Sequence, residues 1–266
     1  MDVVNRCLSG EISGDKLVTT RVDGAVLYVT LQRPEKRNAL SRQLLAELAN
    51  TFTTWRERDE ITLAVLTGAG DKAFASGGDL KELDTLRTES EALAFSTATR
   101  AALDTIRHFP VPVVAVLNGD ALGGGAELAL ACDIRIARAH ARIGFLQGQL
   151  NIATSWGGGT DLFNVLSPGR ALFLLCTAEV LSAQRALELG LLEAVAPVED
   201  AEQFIDSTIA RLAARKPQVM RAFKSLALMK RSGASSEEQA KQEGDQFART
   251  WVHDDHWAAV AAFMNR

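Results

Sequence analysis

Hydrophobic and polar positions follow two rhythms along the chain. Residues 17–31 place apolar and β-branched residues on either side of Asp23-Gly24, the pattern of a hairpin with a two-residue turn. After Ser41, a favoured helix N-cap, Leu44, Leu45, Leu48, Phe52 and Trp55 fall on one face at helical spacing. Residues 62–67 (TLAVLT) are a short apolar run ending at Gly68-Ala69-Gly70, which predicts a buried strand. Residues 73–75 predict a second short strand, broken by Ser76-Gly77-Gly78. Residues 91–108 read as helix, residues 112–117 (PVVAVL) as another buried strand, and residues 134–137 as one more. From Ser155 on the chain reads mostly helical: Ser182 caps one helix, Pro217 starts another, and Ser235-Ser236-Glu237-Glu238 opens a third. Short buried strands alternating with helices, followed by helices alone, predict an α/β fold with a C-terminal α-helical region.

Composition narrows the functions open to such a fold. At 266 residues the chain suits one large domain, or a main domain with a small C-terminal module. Apolar residues make up 47% and charged residues 23%, ordinary for a soluble globular protein. The formal net charge of −4, with no long basic run, argues against a nucleic-acid surface and leaves room for a local basic patch. Cys7, Cys132 and Cys176 form no Cys-x-x-Cys pair, so neither a disulfide framework nor a zinc site is expected. A reducing, cytoplasmic setting is the default. Residues 1–16 are polar and lack a cationic stretch followed by an apolar one, so no signal peptide is expected. No apolar run reaches the roughly 18 residues of a membrane span.

Candidate chemistry gathers at glycines. Three segments carry them: residues 72–80 (KAFASGGDL), residues 118–128 (NGDALGGGAEL) and residues 155–160 (SWGGGT). None fits a Walker A loop or a dinucleotide fingerprint. A glycine run between a strand and an apolar helix leaves backbone N–H groups unpaired and sterically open at the positive end of the helix dipole. Two such amides, from Gly78 and Gly124, converging on one oxygen would form an oxyanion hole. Plain tight packing is the other reading of these glycines. Glu127 lies three residues after Gly124, so the two share a helix face. Among Ala126, Leu128, Ala129 and Leu130 its carboxylate is costly unless it is paired or beside a wet cavity, and apolar surroundings raise its pKa toward an acid/base range. Pairing with Arg135 is the structural alternative. Asp79 reads as a helix cap, and His253 with His256 as a surface pair rather than a metal site.

These segments resemble the crotonase (enoyl-CoA hydratase/isomerase) superfamily. The resemblance runs roughly over residues 21–263 and rests on RPEKRNAL (33–40), AFASGGDL (73–80), PVVAVLNGDALGGGAELALACD (112–133) and LSAQRALELGLL (181–192). It implies a crotonase-like ββα spiral core over residues 1–200 and a C-terminal helical trimerisation region over residues 201–266. It implies a homotrimer or hexamer and an acyl-CoA or acyl-carrier thioester as substrate, with coenzyme A arriving as part of that substrate, no separate cofactor and no metal. By motif, the oxyanion amides are those of Gly78 and Gly124, and the acid/base glutamate is Glu127. The loop holding Lys36 and Ala39, and the segment holding Ala73 and Ala75, would line the pantetheine and adenine path. Lys81 is either a partner for a CoA phosphate or a solvated surface lysine. Trp156 either shapes the acyl pocket or fills the core.

The sequence departs from the family at one telling position. Hydratases of the family carry a second glutamate about twenty residues after the first, where this chain has Gln147. An amide can hold a water or a carbonyl but cannot exchange a proton at neutral pH. Two-carboxylate hydration is thereby in question, and chemistries with one proton carrier stay open: hydration with Glu127 making both transfers, isomerisation, or decarboxylation of an alkylmalonyl-type thioester. A non-catalytic acyl-CoA- or RNA-binding relative is the remaining option, against which the intact Glu127 and the acidic balance argue.

Overall fold

The computed structural model describes Leu8 and residues 16–265; Cys7 and nearly all of the polar N-terminal stretch fall outside them. The hairpin forms as β1 (Val18–Asp23) and β2 (Val26–Leu31), paired antiparallel with Asp23 opposite Val26. The turn residues are therefore Gly24 and Ala25 rather than Asp23 and Gly24. Gly24 adopts φ 57°, which places the glycine at the first loop position and leaves Asp23 in the ladder.

Behind the hairpin, Ser41 caps α1 (Arg42–Trp55) by accepting the Leu44 N–H, and Leu44, Leu45, Leu48 and Phe52 are fully buried. Trp55 stays half-buried at the end of that face. Phe52 meets Phe109 edge to face at 5.2 Å.

The core then repeats one step. A long strand joins a large sheet, a three-residue strand joins a small one, and helices follow. The first turn is β3 (Leu63–Gly68), β4 (Ala73–Ala75), α2 (Leu80–Leu83) and α3 (Glu89–Arg107). The second is β5 (Val113–Leu117), β6 (Asp120–Leu122) and α4 (Gly124–Ala131). The third is β7 (Ile134–Arg138), β8 (Arg142–Gly144) and, past a 3-10 turn at Leu146–Leu150, α5 (Gly158–Val165) and α6 (Pro168–Thr177). After β9 (Val180–Ser182), α7 (Ala183–Leu189) and β10 (Ala194–Ala196), the large sheet has the order β1-β2-β3-β5-β7-β10 and the small one β4-β6-β8-β9. All pairings are parallel except β1 with β2 and β8 with β9. This is the expected ββα spiral. Parallel strands covered on both faces read as unbroken apolar runs, as β3 and β5 do.

Residues 201–266, expected as a helical region, carry α8 (Ala201–Ala213), α9 (Pro217–Arg231), α10 (Ser236–Trp251) and α11 (Asp254–Met264). Ile205 and Ile209 seat α8 in the core. The buried Lys224 and the half-buried Arg231 of α9 bind Asp133 at 2.6 and 2.8 Å, which ties α9 to the end of α4. Phe247, Trp251, Trp257 and Phe263 are exposed on α10 and α11. No described helix is long and apolar enough to cross a membrane.

Candidate active site

The small sheet decides where α4 lies. Gly125 sits directly over β4: a Cβ there would stand 1.9 Å from the Ala75 carbonyl oxygen. Only glycine allows this approach, and it fixes the start of α4 against the Ser76-Gly77-Gly78 loop. Gly77 comes next to Gly124, its missing Cβ lying 3.6 Å from the Gly124 nitrogen. The Trp156 ring packs on both Gly78 and Gly124, so the two glycines share one wall. Neither amide has a hydrogen-bond acceptor among the described residues.

Glu127, the fourth residue of α4, is 2% exposed. Its Oε2 accepts the backbone N–H groups of Trp156 and Gly158, each at 2.9 Å. Its Oε1 accepts from Gln147 Nε2 at 2.7 Å. Burial pushes the carboxyl above its ordinary range, while the donors at Gly158, Trp156, Gln147 and Ser155 pull it back. Because a carboxylate only accepts, Gln147 must turn its amide nitrogen toward it. That leaves the buried Gln147 Oε1 without a partner. Gly158 makes the arrangement possible, since a Cβ there would stand 2.3 Å from Glu127 Cγ.

The loop holding those donors is braced from behind. Arg107, on α3, donates to the Trp156 carbonyl at 2.8 Å and pairs with Asp161 at 2.8 Å and Asp104 at 2.7 Å. Arg135, the alternative partner for Glu127, instead pairs with Glu193 at 2.7 Å and binds the Leu191 carbonyl. That alternative is overturned, and Glu127 has no ion pair among the described residues.

A cavity of about 640 Å³ opens onto this point, lined by Gly78, Gly124, Glu127, Gln147 and Trp156 together with apolar residues of α2, α3 and residues 146–153. Lys36, Ala39, Ala73, Ala75 and Lys81 do not line it. Lys36 and Lys81 are exposed, Ala39 is half-buried, and Ala73 and Ala75 are buried in β4. Trp156 is both core and cavity wall: it is 7% exposed and meets Phe95 edge to face at 6.0 Å.

Asp79 stands at the N-cap position of α2, but its carboxylate pairs with Arg33 at 2.9 Å and caps no helix N–H. His253 caps α11 through the Asp255 N–H, and no group of His, Cys, Asp or Glu suited to a metal occurs among the described residues. Cys132 is buried, which pushes its thiol up to about 12 and leaves it a core side chain.

Sequence reasoning missed two features. The Trp156 and Gly158 amides donate to Glu127, although the Trp156-Gly157-Gly158-Gly159 cluster opening a helix was the available signal. Asn38, fully buried, binds the Ala69 and Ala73 carbonyls and anchors the 33–39 loop to β4.

Comparison with known proteins adds to this geometry. A family model described as enoyl-CoA hydratase/isomerase matches residues 21–266. The chain is 32% identical to the crotonyl-CoA hydratase of Syntrophomonas wolfei, over 91% of this chain and 92% of that one. It is 31% identical to the 2,3-dehydroadipyl-CoA hydratase of Escherichia coli, over 91% and 92%. The crystal structure of an enoyl-CoA hydratase from Bacillus anthracis superposes with a TM-score of 0.88 at 32% identity, covering 94% of this chain and 96% of that one.

Proposed function

The chain belongs to the enoyl-CoA hydratase/isomerase family, and from that membership we propose that it hydrates an enoyl thioester through an enolate with Glu127 as its one proton carrier. The observation that carries this reading is the pairing of roles at Glu127. Three N–H groups fill three of the carboxylate's roughly four acceptor positions. The position left open is on Oε1, beside the unpartnered Gln147 oxygen.

In this reading a water gives one proton to Glu127 Oε1 and its other hydrogen bonds Gln147 Oε1. The water oxygen bonds the β-carbon, and the alkene electrons move onto the thioester oxygen. The free amides of Gly78 and Gly124 receive that oxyanion. Glu127 then returns its proton to the α-carbon, and the carbonyl re-forms. When Oε1 carries the proton, Gln147 must loosen or turn its amide, so the amide follows the proton rather than supplying one. Losing one such oxyanion donor typically costs ~10²–10³ in rate. Decarboxylation of a malonyl-type thioester is the second one-carboxylate chemistry, but among the described residues no cation lines the cavity to bind the carboxylate of such a substrate.

The reading further assigns the CoA phosphates to the surface near Lys36 and Lys81, places the half-buried Ala39 along the pantetheine path with the buried Ala73 and Ala75 supporting it from within β4, and gives the exposed aromatics of α10 and α11 to a trimer contact. The test is Glu127→Gln. Glutamine can keep accepting from Trp156 and Gly158 while Gln147 turns to accept from it. Turnover of crotonyl-CoA, followed by loss of enoyl absorbance, should fall by at least about 10³-fold, with thioester affinity retained. Turnover within tenfold of the wild type would remove Glu127 from the mechanism. CO2 release from ethylmalonyl-CoA without hydration would replace the reaction by decarboxylation.

A further inference from the structure

The cavity next to Glu127 has a chemical character that the hydration reading does not use. Its wall carries Leu83, Leu86, Leu93, Phe95, Leu146 and Ile152, drawn from α2, α3, the link between them and the stretch after β8. Its charged side chains are two carboxylates, Glu127 and Glu89. Among the described residues, no Lys, Arg or His lines it.

Three arginines that touch or adjoin wall residues are engaged elsewhere. Arg42 pairs with Glu82 and lies over the ring of Phe95, 5.6 Å from its centre. Arg87 pairs with Asp84. Arg107, behind Trp156, holds Asp161 and Asp104. At the start of α3 the capping box takes one first-turn amide, Thr88 accepting the Glu91 N–H, and the first helical position is Glu89, whose own negative charge lines the cavity. An acyl group with a second carboxylate would therefore desolvate its charge against leucines and a like-charged glutamate.

Size points the same way. At about 30 Å³ for each group the size of a water, a four-carbon acyl chain would fill only about a fifth of a cavity of about 640 Å³. We infer that this cavity takes a neutral, apolar acyl group longer than four carbons, and selects against short acyl groups and against those ending in a carboxylate. The inference rests on the thioester reading of the same site.

Equilibrium binding of saturated acyl-CoAs, which cannot be hydrated, tests it. Octanoyl-CoA should bind at least about tenfold more tightly than butyryl-CoA, because four more methylenes leave water. Adipoyl-CoA should bind about tenfold or more weakly than hexanoyl-CoA. Leu93→Arg, at an exposed wall position, should weaken octanoyl-CoA and tighten adipoyl-CoA, narrowing or reversing that preference. Measurable binding of the whole series with no dependence on length or charge overturns this inference and leaves the thioester reading standing. No binding by any acyl-CoA overturns both.

Discussion

A buried carboxylate held by amides rather than by a cation behaves unlike one in a salt bridge. Glu127 keeps its charge through hydrogen bonds alone, and burial outweighs them, so its pKa lies above the ordinary 4.5. Protonation fills the one open acceptor position on Oε1. The acid limb of kcat/KM should therefore show an apparent pKa above 4.5, activity falling as the pH falls. Stability runs the other way. The folded chain holds this proton more tightly than the unfolded chain, so Glu127's contribution is fully present below 4.5 and is lost as the pH rises through the raised folded value. Glu127→Gln removes that dependence. Its melting temperature relative to wild type should climb as the pH rises above about 4.5; parallel pH profiles for the two proteins would contradict the assignment.

At the scale of elements, the site depends on how closely α4 approaches β4. Gly125→Ala drives a methyl into the Ala75 carbonyl, and backbone cannot move aside as a side chain can. The expected loss is about 1–3 kcal/mol or more, read by denaturant unfolding, with turnover falling further because α4 carries Gly124 and Glu127. A variant as stable and active as wild type would show that α4 does not rest on β4. Elements like α1, β3 and β5 were legible because their apolar patterns run for five or more residues. The three-residue strands β6, β8 and β9 were not, since pairing partners rather than local pattern make them strands. Glu127, Gly78 and Gly124 could be marked from residue type and order. The Trp156 and Gly158 donors are main-chain groups, so no side chain announces them, and the glycine cluster at 157–159 was the one trace they left in the sequence. The ion pair of Asp79 with Arg33 was equally hidden, because 46 residues separate its partners.

Across the whole molecule, the last helices are held firmly at one end and left bare at the other. Lys224 and Arg231 on Asp133 anchor α9, yet α10 and α11 expose Phe247, Trp251, Trp257 and Phe263 to solvent. Trp251 contacts Phe247 at 5.2 Å and Trp257 at 5.8 Å, so these three exposed rings form one contiguous patch. Patches of this kind mark interfaces. Light scattering should give a mass three times the 28.7 kDa of the chain, or twice that again. A monomer at micromolar concentration would rule out the assembly.

The two amides on Glu127 Oε2 carry one more consequence. An acid pinned at one oxygen cannot swing round its target. In the hydration proposed above, a flat enolate laid against it would take the incoming hydrogen on one side only, so that in heavy water a deuteron should enter the α-carbon with a single orientation.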